Sequence, residues 1–192
     1  MPLFFSALLL SIAASSDCLV IGLNYGAKGI RITKTANLFM AAICFAGTYF
    51  SMLAGVGLAL LIPAWVESLV GGLILILLGG YMLWGALRPH LGAVSRSDPH
   101  QVDADQSKAI ELRESLGISL LLCINNIGIG IGGSVAGVDP LLTSLLCAFF
   151  SVLFIGLGNW TAGRFARTPA KLLEIGSAGI LILLGLYSLL QI

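Results

Sequence analysis

Long stretches without charge alternate with shorter polar connections along most of the chain. Six nearly uncharged stretches cover residues 3–23, 38–62, 68–87, 115–138, 141–162 and 172–192. Each provides about the 20 apolar residues that a helix needs to cross the hydrocarbon core of a bilayer. A spanning helix also satisfies its backbone hydrogen bonds internally, as that core requires. The pattern therefore predicts an all-α integral membrane protein with six transmembrane helices.

The basic residues lie in only three of the connections. All ten Lys and Arg residues lie in the connection between the first and second stretches, between the third and fourth stretches, or between the fifth and sixth stretches. With six spans these connections share one side of the membrane, and the positive-inside rule makes that side cytoplasmic. The sequence thus predicts a multi-pass protein of the cell inner (plasma) membrane with both termini outside. We interpret the first stretch as a span and not a signal peptide, because no basic residue precedes it.

A long polar segment, residues 88–114, divides the chain into two groups of three spans. We interpret it as a cytoplasmic linker between a first repeat, residues 1–87, and a second, residues 115–192. When each of two similar halves has an odd number of spans, the second half begins on the opposite side of the membrane. The two halves therefore insert in opposite directions, as in many transporters. An offset of 108 residues places Asp17 over Asn125 and Gly22 over Gly130, and an offset of 106 aligns LILILLGGY with GILILLGLY. These offsets predict a 3+3 inverted-topology repeat.

Composition excludes several classes of function. The chain is 58% hydrophobic and 10% charged, with a mean hydropathy of +1.02, whereas about 25% of the residues in an average soluble domain are charged. A formal net charge of +1 provides no basic excess for nucleic acid. The sequence carries no HExxH, GxSxG or phosphate-loop motif, so we expect neither an enzyme nor a cofactor. The expected partner is the lipid bilayer.

Asp17 is a formal charge deep inside a predicted span. An Asp at the bilayer centre costs about 2.5–3.5 kcal/mol on insertion scales, so we expect it to face the bundle interior or a wet cavity. A carboxylate in that position is by default a ligand for a cation or a proton. The alternative is an Asp that only fixes helix packing through hydrogen bonds.

Amide and hydroxyl side chains extend this candidate metal site. Asn125 and Asn126 lie near the middle of the predicted fourth span, and hard cations such as Mn²⁺ prefer oxygen ligands. Ser51 and Asn159, which align with each other at the offset of 108, are further candidate ligands. Hydrogen bonding between helices is the alternative role for the two neighbouring asparagines. Thr48 is a weaker candidate, because isolated Thr side chains usually bond to a carbonyl of their own helix.

Glycines crowd the sequence that follows the two asparagines, at Gly128, Gly130, Gly132 and Gly133. Small residues four apart let helices cross closely, so tight packing is one interpretation. The other is that the fourth helix unwinds here and turns backbone carbonyls toward an ion.

The four cysteines also lie inside predicted spans. Cys18 is displaced by about 100° from Asp17 around its helix, and Cys123 by about 200° from Asn125. These angles favour buried thiols that act as small apolar filler over a soft-metal site.

The segment SSDCLVIGLNYG resembles the MntP-type manganese efflux family, in which helices one and four each carry an Asp. GGLILILLGGY and EIGSAGILILLGLY extend the resemblance through both halves, and NYGAKGIRI is similar to the branch of YtaF-type sporulation membrane proteins. The resemblance implies a six-span inverted repeat that exports a divalent cation, Mn²⁺, with Asp17 as the first-repeat ligand. The chain departs from the family pattern at Asn125, where the family has a second Asp.

The leading hypothesis is therefore a secondary transporter that exports a divalent cation by alternating access through a site between helices 1 and 4. The alternatives are a non-transporting sporulation-associated membrane protein, whose polar core only organises packing, and an exporter of a small organic solute. Replacing Asp17 by Asn is expected to abolish transport but to be tolerated by a scaffold.

Overall fold

The computed structural model describes residues 3–61, 63–87, 109–165 and 170–190. Within these residues the six predicted stretches form six helices, whose ends differ from the predicted ones by up to four residues. Two short strands, which the sequence did not predict, pair in parallel. The elements are α1 (Leu3–Ala27), β1 (Arg31–Ile32), α2 (Lys34–Ala59), α3 (Ala64–Leu87), β2 (Ala109–Ile110), α4 (Leu112–Val135), α5 (Pro140–Phe165) and α6 (Ala170–Leu189).

The helices have the length and surface of a membrane protein. Four segments are long and apolar enough to cross a bilayer: Phe4–Ala27, Lys34–Ala59, Leu112–Val135 and Pro140–Thr161. The apolar segments found in α3 and α6 are shorter, Leu69–Gly85 and Ile175–Leu189. Large side chains such as Phe50, Leu77 and Leu183 are exposed on the outside, whereas many hydroxyl side chains are buried. Such a surface suits lipid better than water, so the chain is a multi-pass membrane protein.

Each helix packs mainly against one helix of the other half. α1 contacts α5 most extensively, α2 contacts α4, and α3 contacts α6, while α2 also packs against α5. Glycine allows the closest of these approaches: a Cβ added at Gly22 would lie 2.6 Å from the carbonyl oxygen of Ile155 and 3.1 Å from the Cα of Gly158. The backbones of α1 and α5 are therefore in direct contact.

The glycine-rich part of α4 is an uninterrupted helix. Gly128 and Gly132 face side chains of α3, Gly130 faces α2, and Gly133 faces α1. The four glycines thus let one helix pack closely against three neighbours. The alternative of an unwound fourth helix is wrong, and the packing interpretation is confirmed.

α4 begins at Leu112, inside the segment predicted to be a linker. A capping box explains this start, because Glu111 caps the helix and its backbone N–H donates to Oε2 of Glu114 at 3.2 Å. Strand β2 precedes it and lies beside β1, with Arg31 paired to Ala109 and Ile32 to Ile110. Residues 88–108, the rest of the predicted linker, lie outside the described residues.

The buried apolar side chains form two clusters. Members of the first come from all six described helices and include Leu10, Met52, Leu75, Cys147 and Leu181. Members of the second include Tyr25, Ile30, Met40, Ile110 and Ile118. Four helices, α1, α2, α4 and α5, contribute residues to both clusters. The residues that lie between the two clusters on these helices are therefore at a common level along the bundle.

Candidate functional site

Each of α1, α2, α4 and α5 carries at least one buried polar residue at the level between the two apolar clusters. We take one residue from each helix, Asp17, Thr48, Asn126 and Ser151, and call these four the central polar layer. On α1, for example, Ala14 belongs to the first cluster and Cys18 to the second, with Asp17 between them. All four are buried, and Asp17 is only 4% exposed.

Hydrogen bonds within this layer connect the two halves of the chain. The Asn126 amide Nδ2 donates to the Thr48 hydroxyl at 3.3 Å, which joins α4 to α2. The Cys18 thiol and the Ser151 hydroxyl are 3.2 Å apart and join α1 to α5. The sequence analysis placed Thr48 among the weaker candidates and missed Ser151. The contacts of these two residues depend on which helices are neighbours, which the sequence does not show.

The neighbours of Asp17 include a thiol on its own helix and one on α2. Its carboxylate interacts electrostatically with the thiols of Cys18 and Cys44. Cys44 and Thr48 are four residues apart on α2 and therefore share a face of that helix. The Asp17 carboxylate is thus within electrostatic range of the α2 face to which Asn126 is hydrogen-bonded.

Ser51 continues the same face of α2 by one turn. It is buried, and its hydroxyl donates to the Gly47 carbonyl oxygen of its own helix at 2.6 Å. Its Cβ lies where α2 approaches Gly130 of α4. Ser51 keeps acceptor lone pairs on its hydroxyl oxygen, so its predicted role as a ligand stays a prediction.

Asn159 lies away from the central polar layer, next to the connection between α1 and α2. Its Nδ2 donates to the Ile30 carbonyl oxygen at 2.8 Å, and its Oδ1 accepts from the Ile32 backbone N–H at 3.4 Å. Both polar atoms of the amide therefore hold this connection in place. The side chain of Asn125 lies outside the described residues, although its backbone is part of α4.

Two of the four thiols are neighbours in the structure. Cys18 on α1 and Cys44 on α2 are both buried and lie close enough to interact. Within the described ranges, no group of three or more His, Cys, Asp or Glu side chains is arranged to hold a metal ion. The central polar layer itself offers oxygen atoms from one carboxylate, one amide and two hydroxyls, and hard cations prefer such ligands.

Two known proteins are similar to the chain over most of its length. The "Probable sporulation protein YtaF" of Bacillus subtilis (strain 168) is 31% identical over 181 residues, which cover 83% of this chain and 86% of the relative. The "Putative manganese efflux pump MntP" of Methanospirillum hungatei JF-1 is 24% identical over 196 residues, covering 100% of this chain and 95% of the relative. No family model matches the chain, and no solved structure matches it. With this identity and coverage, the chain belongs to the MntP/YtaF family of membrane proteins.

Proposed function

We propose that this protein exports a divalent cation, Mn²⁺, across the membrane, and that the cation binds in the central polar layer between α1 and α4. The observation that carries the proposal is Asp17, a carboxylate that is 4% exposed in the middle of an apolar helix. A charge in this position is expensive to insert and is retained where it has a function. The relative named as a manganese efflux pump supports the choice of cation.

The two apolar clusters give the layer the form of an occluded site. One cluster lies on each side of the layer along α1, α2, α4 and α5. Alternating access then requires helices of the two halves to separate first at one cluster and then at the other. Since the sequence has no nucleotide-binding motif, we assign the coupling to an ion gradient, with Asp17 holding either the cation or a proton.

We further infer that the halves form an inverted repeat of three spans each. The turns that end α1 and α4 support this inference: Gly29 and Gly137 have φ angles of 74° and 80° and are 108 residues apart. At the same offset, Ile30 N–H bonds to the Tyr25 carbonyl and Val138 N–H to the Gly133 carbonyl, each at 3.0 Å. The pairing of α1 with α5 and of α2 with α4 is also what a twofold relation between the halves predicts.

The proposed topology places six spans in the plasma membrane, with both termini outside and the basic connections in the cytoplasm. The contact between β1 and β2 supports a common side for two of these connections, because it joins the segment after α1 to the segment before α4. The positive-inside rule then assigns that side to the cytoplasm.

Uptake of ⁵⁴Mn²⁺ into proteoliposomes that contain the purified protein tests the function. We expect wild type to transport and Asp17→Asn to fall to the background of empty liposomes. Asp139→Asn is the matched control, since it makes the same change at the start of α5, where Oδ1 accepts from Leu142 N–H at 2.7 Å and an Asn oxygen can also accept. Equal transport by wild type and Asp17→Asn would refute the assigned site.

A non-transporting role in sporulation is the second candidate, favoured by the 31% identity to the relative with that name. The Asn at position 125, where the family pattern has a second Asp, also favours it. The same assay separates the two candidates through Asn125→Asp. A silent wild type and an active Asn125→Asp variant would show a family member that does not transport Mn²⁺ in its present form.

A further inference from the structure

A cavity of about 600 Å³ lies at the end of the bundle where α1 ends and α2 begins. Its walls include Arg31 from β1, Lys34 and Asn37 from the first turn of α2, and Asn159 and Trp160 from α5. Gly26 of α1 also lines it and is nine residues beyond Asp17, or about 13 Å along the helix. The cavity is therefore separate from the central polar layer.

The wall that carries the two basic residues is held in place by hydrogen bonds. Asn159 bonds to the backbone of Ile30 and Ile32 on either side of Arg31, at 2.8 and 3.4 Å. Thr33 caps α2 by accepting from the Ala36 N–H at 3.2 Å. Since β1 also pairs with β2, Arg31 and Lys34 project from a braced segment. The backbone that carries both cationic side chains is thus held in place without a ligand.

The chemistry of the cavity suits an anion that also carries hydroxyl groups. Two cationic side chains line it and would repel a divalent cation. The first turn of α2 adds the positive end of a helix dipole. Asn37 donates from Nδ2 to the Val152 carbonyl at 3.0 Å, while its Oδ1 is buried and has no hydrogen-bond partner among the residues that the structure describes. Because Asn37 lines the cavity, a turn of its amide toward the cavity would let that oxygen accept from a hydroxyl of the ligand.

The position of the cavity favours the headgroup of a lipid over a soluble anion as its ligand. It lies at the ends of membrane-spanning helices, and Trp160 on its rim is 77% exposed. Tryptophan at such a position is typical of the level of the lipid headgroups. Basic pockets between helices at that level bind the headgroups of anionic lipids.

We propose that this cavity binds the headgroup of an anionic phospholipid, with Arg31 and Lys34 contacting the phosphate. Phosphatidylglycerol is the probe, because its headgroup combines one phosphate with free hydroxyls. The proposal depends on the placement of α1, α2 and α5 across the membrane, and it does not depend on which substrate the protein transports.

Lipid binding to purified, delipidated protein in detergent, measured by native mass spectrometry without Mn²⁺, tests the proposal. We expect preferential binding of phosphatidylglycerol over phosphatidylcholine. Each of Arg31→Gln and Lys34→Gln should weaken that binding about fivefold. Arg113→Gln is the control, since it removes an exposed positive charge from the start of α4, next to β2, without changing the cavity wall.

Two results would overturn the proposal. The first is an equal loss of phosphatidylglycerol binding in Arg113→Gln and Arg31→Gln, which would indicate general attraction to positive charge. The second is displacement of the lipid by inorganic phosphate at millimolar concentration, which would make a soluble anion the ligand. Because the assay contains no transported cation, a failure of Mn²⁺ transport leaves its outcome unchanged.

Discussion

The contact between α1 and α5 at Gly22 makes a sharp prediction about stability. In Gly22→Ala, the added Cβ would lie 2.6 Å from the Ile155 carbonyl oxygen, about 0.8 Å inside the 3.4 Å at which ordinary contact begins. It would also lie 3.0 Å from the Asn159 backbone nitrogen and 3.1 Å from the Gly158 Cα. All three atoms belong to the backbone of α5, so no side-chain rotation can relieve the overlap. The helices have to move apart.

The energetic cost follows from that displacement. A gap of about 0.5–1 Å removes roughly a quarter to a half of the dispersion energy of each contact that it opens. Overpacking of this kind typically costs about 1–3 kcal/mol. Replacing a helical Gly by Ala contributes about 1 kcal/mol in the opposite direction. We therefore compare the variant with Gly80→Ala in α3, which receives the same helix-propensity gain and has no atom within 4 Å of its added Cβ.

Unfolding of purified protein in mixed micelles, followed while the denaturing detergent is increased, measures the difference. We expect the free energy of unfolding of Gly22→Ala to be about 1–3 kcal/mol below that of Gly80→Ala. Gly158→Ala should give a similar loss, since its Cβ would lie 2.7 Å from the Leu19 carbonyl oxygen. The double variant should lose less than the sum, because the first change already opens the contact. Equal stability of Gly22→Ala and Gly80→Ala would refute the α1–α5 packing.

Two further predictions use the same unfolding measurement. Gly137→Ala should be about 2–3 kcal/mol less stable than Gly117→Ala, since both sites have open space but only Gly137 has a left-handed φ, 80°. The left-handed φ costs about 1–2 kcal/mol, and Ala gains about 1 kcal/mol of helix propensity at Gly117 in α4. Equal stability of the two variants would contradict the turn geometry. A double-mutant cycle of Thr48→Val and Asn126→Leu should give a coupling energy of about 0.6–1.7 kcal/mol for their hydrogen bond, and a value of zero would place the two side chains apart.

Hydrophobic patterning was sufficient to predict the helices, because each stretch long enough to span a membrane has to be helical there. The helix ends were less predictable, since they depend on capping contacts such as that between Glu111 and Glu114. The two short strands could not be predicted either. Their pairing brings residue 31 next to residue 109, which depends on the packing of α1 and α2 against α4.

The candidate site was predicted in part, for a similar reason. Asp17 and Asn126 stand out in sequence because charges and amides are costly in lipid, and both are buried in the central polar layer. Ser151 does not stand out, since a single Ser is common in a membrane span. The sequence pattern also did not distinguish Asn159 from the buried candidate ligands. Its amide instead holds the connection between α1 and α2 at the end of the bundle.

The charge of the central polar layer bears directly on the proposed binding of a divalent cation. A divalent cation beside Asp17 alone leaves one positive charge uncompensated in a buried layer, and burial of an unpaired charge costs several kcal/mol. A second carboxylate at position 125, as in the family pattern, would make the complex neutral. The variant Asn125→Asp should therefore bind Mn²⁺ more tightly than wild type. If wild type nevertheless transports Mn²⁺, Asp17 and its neighbouring oxygen ligands must be sufficient, and the added carboxylate should slow release of the cation.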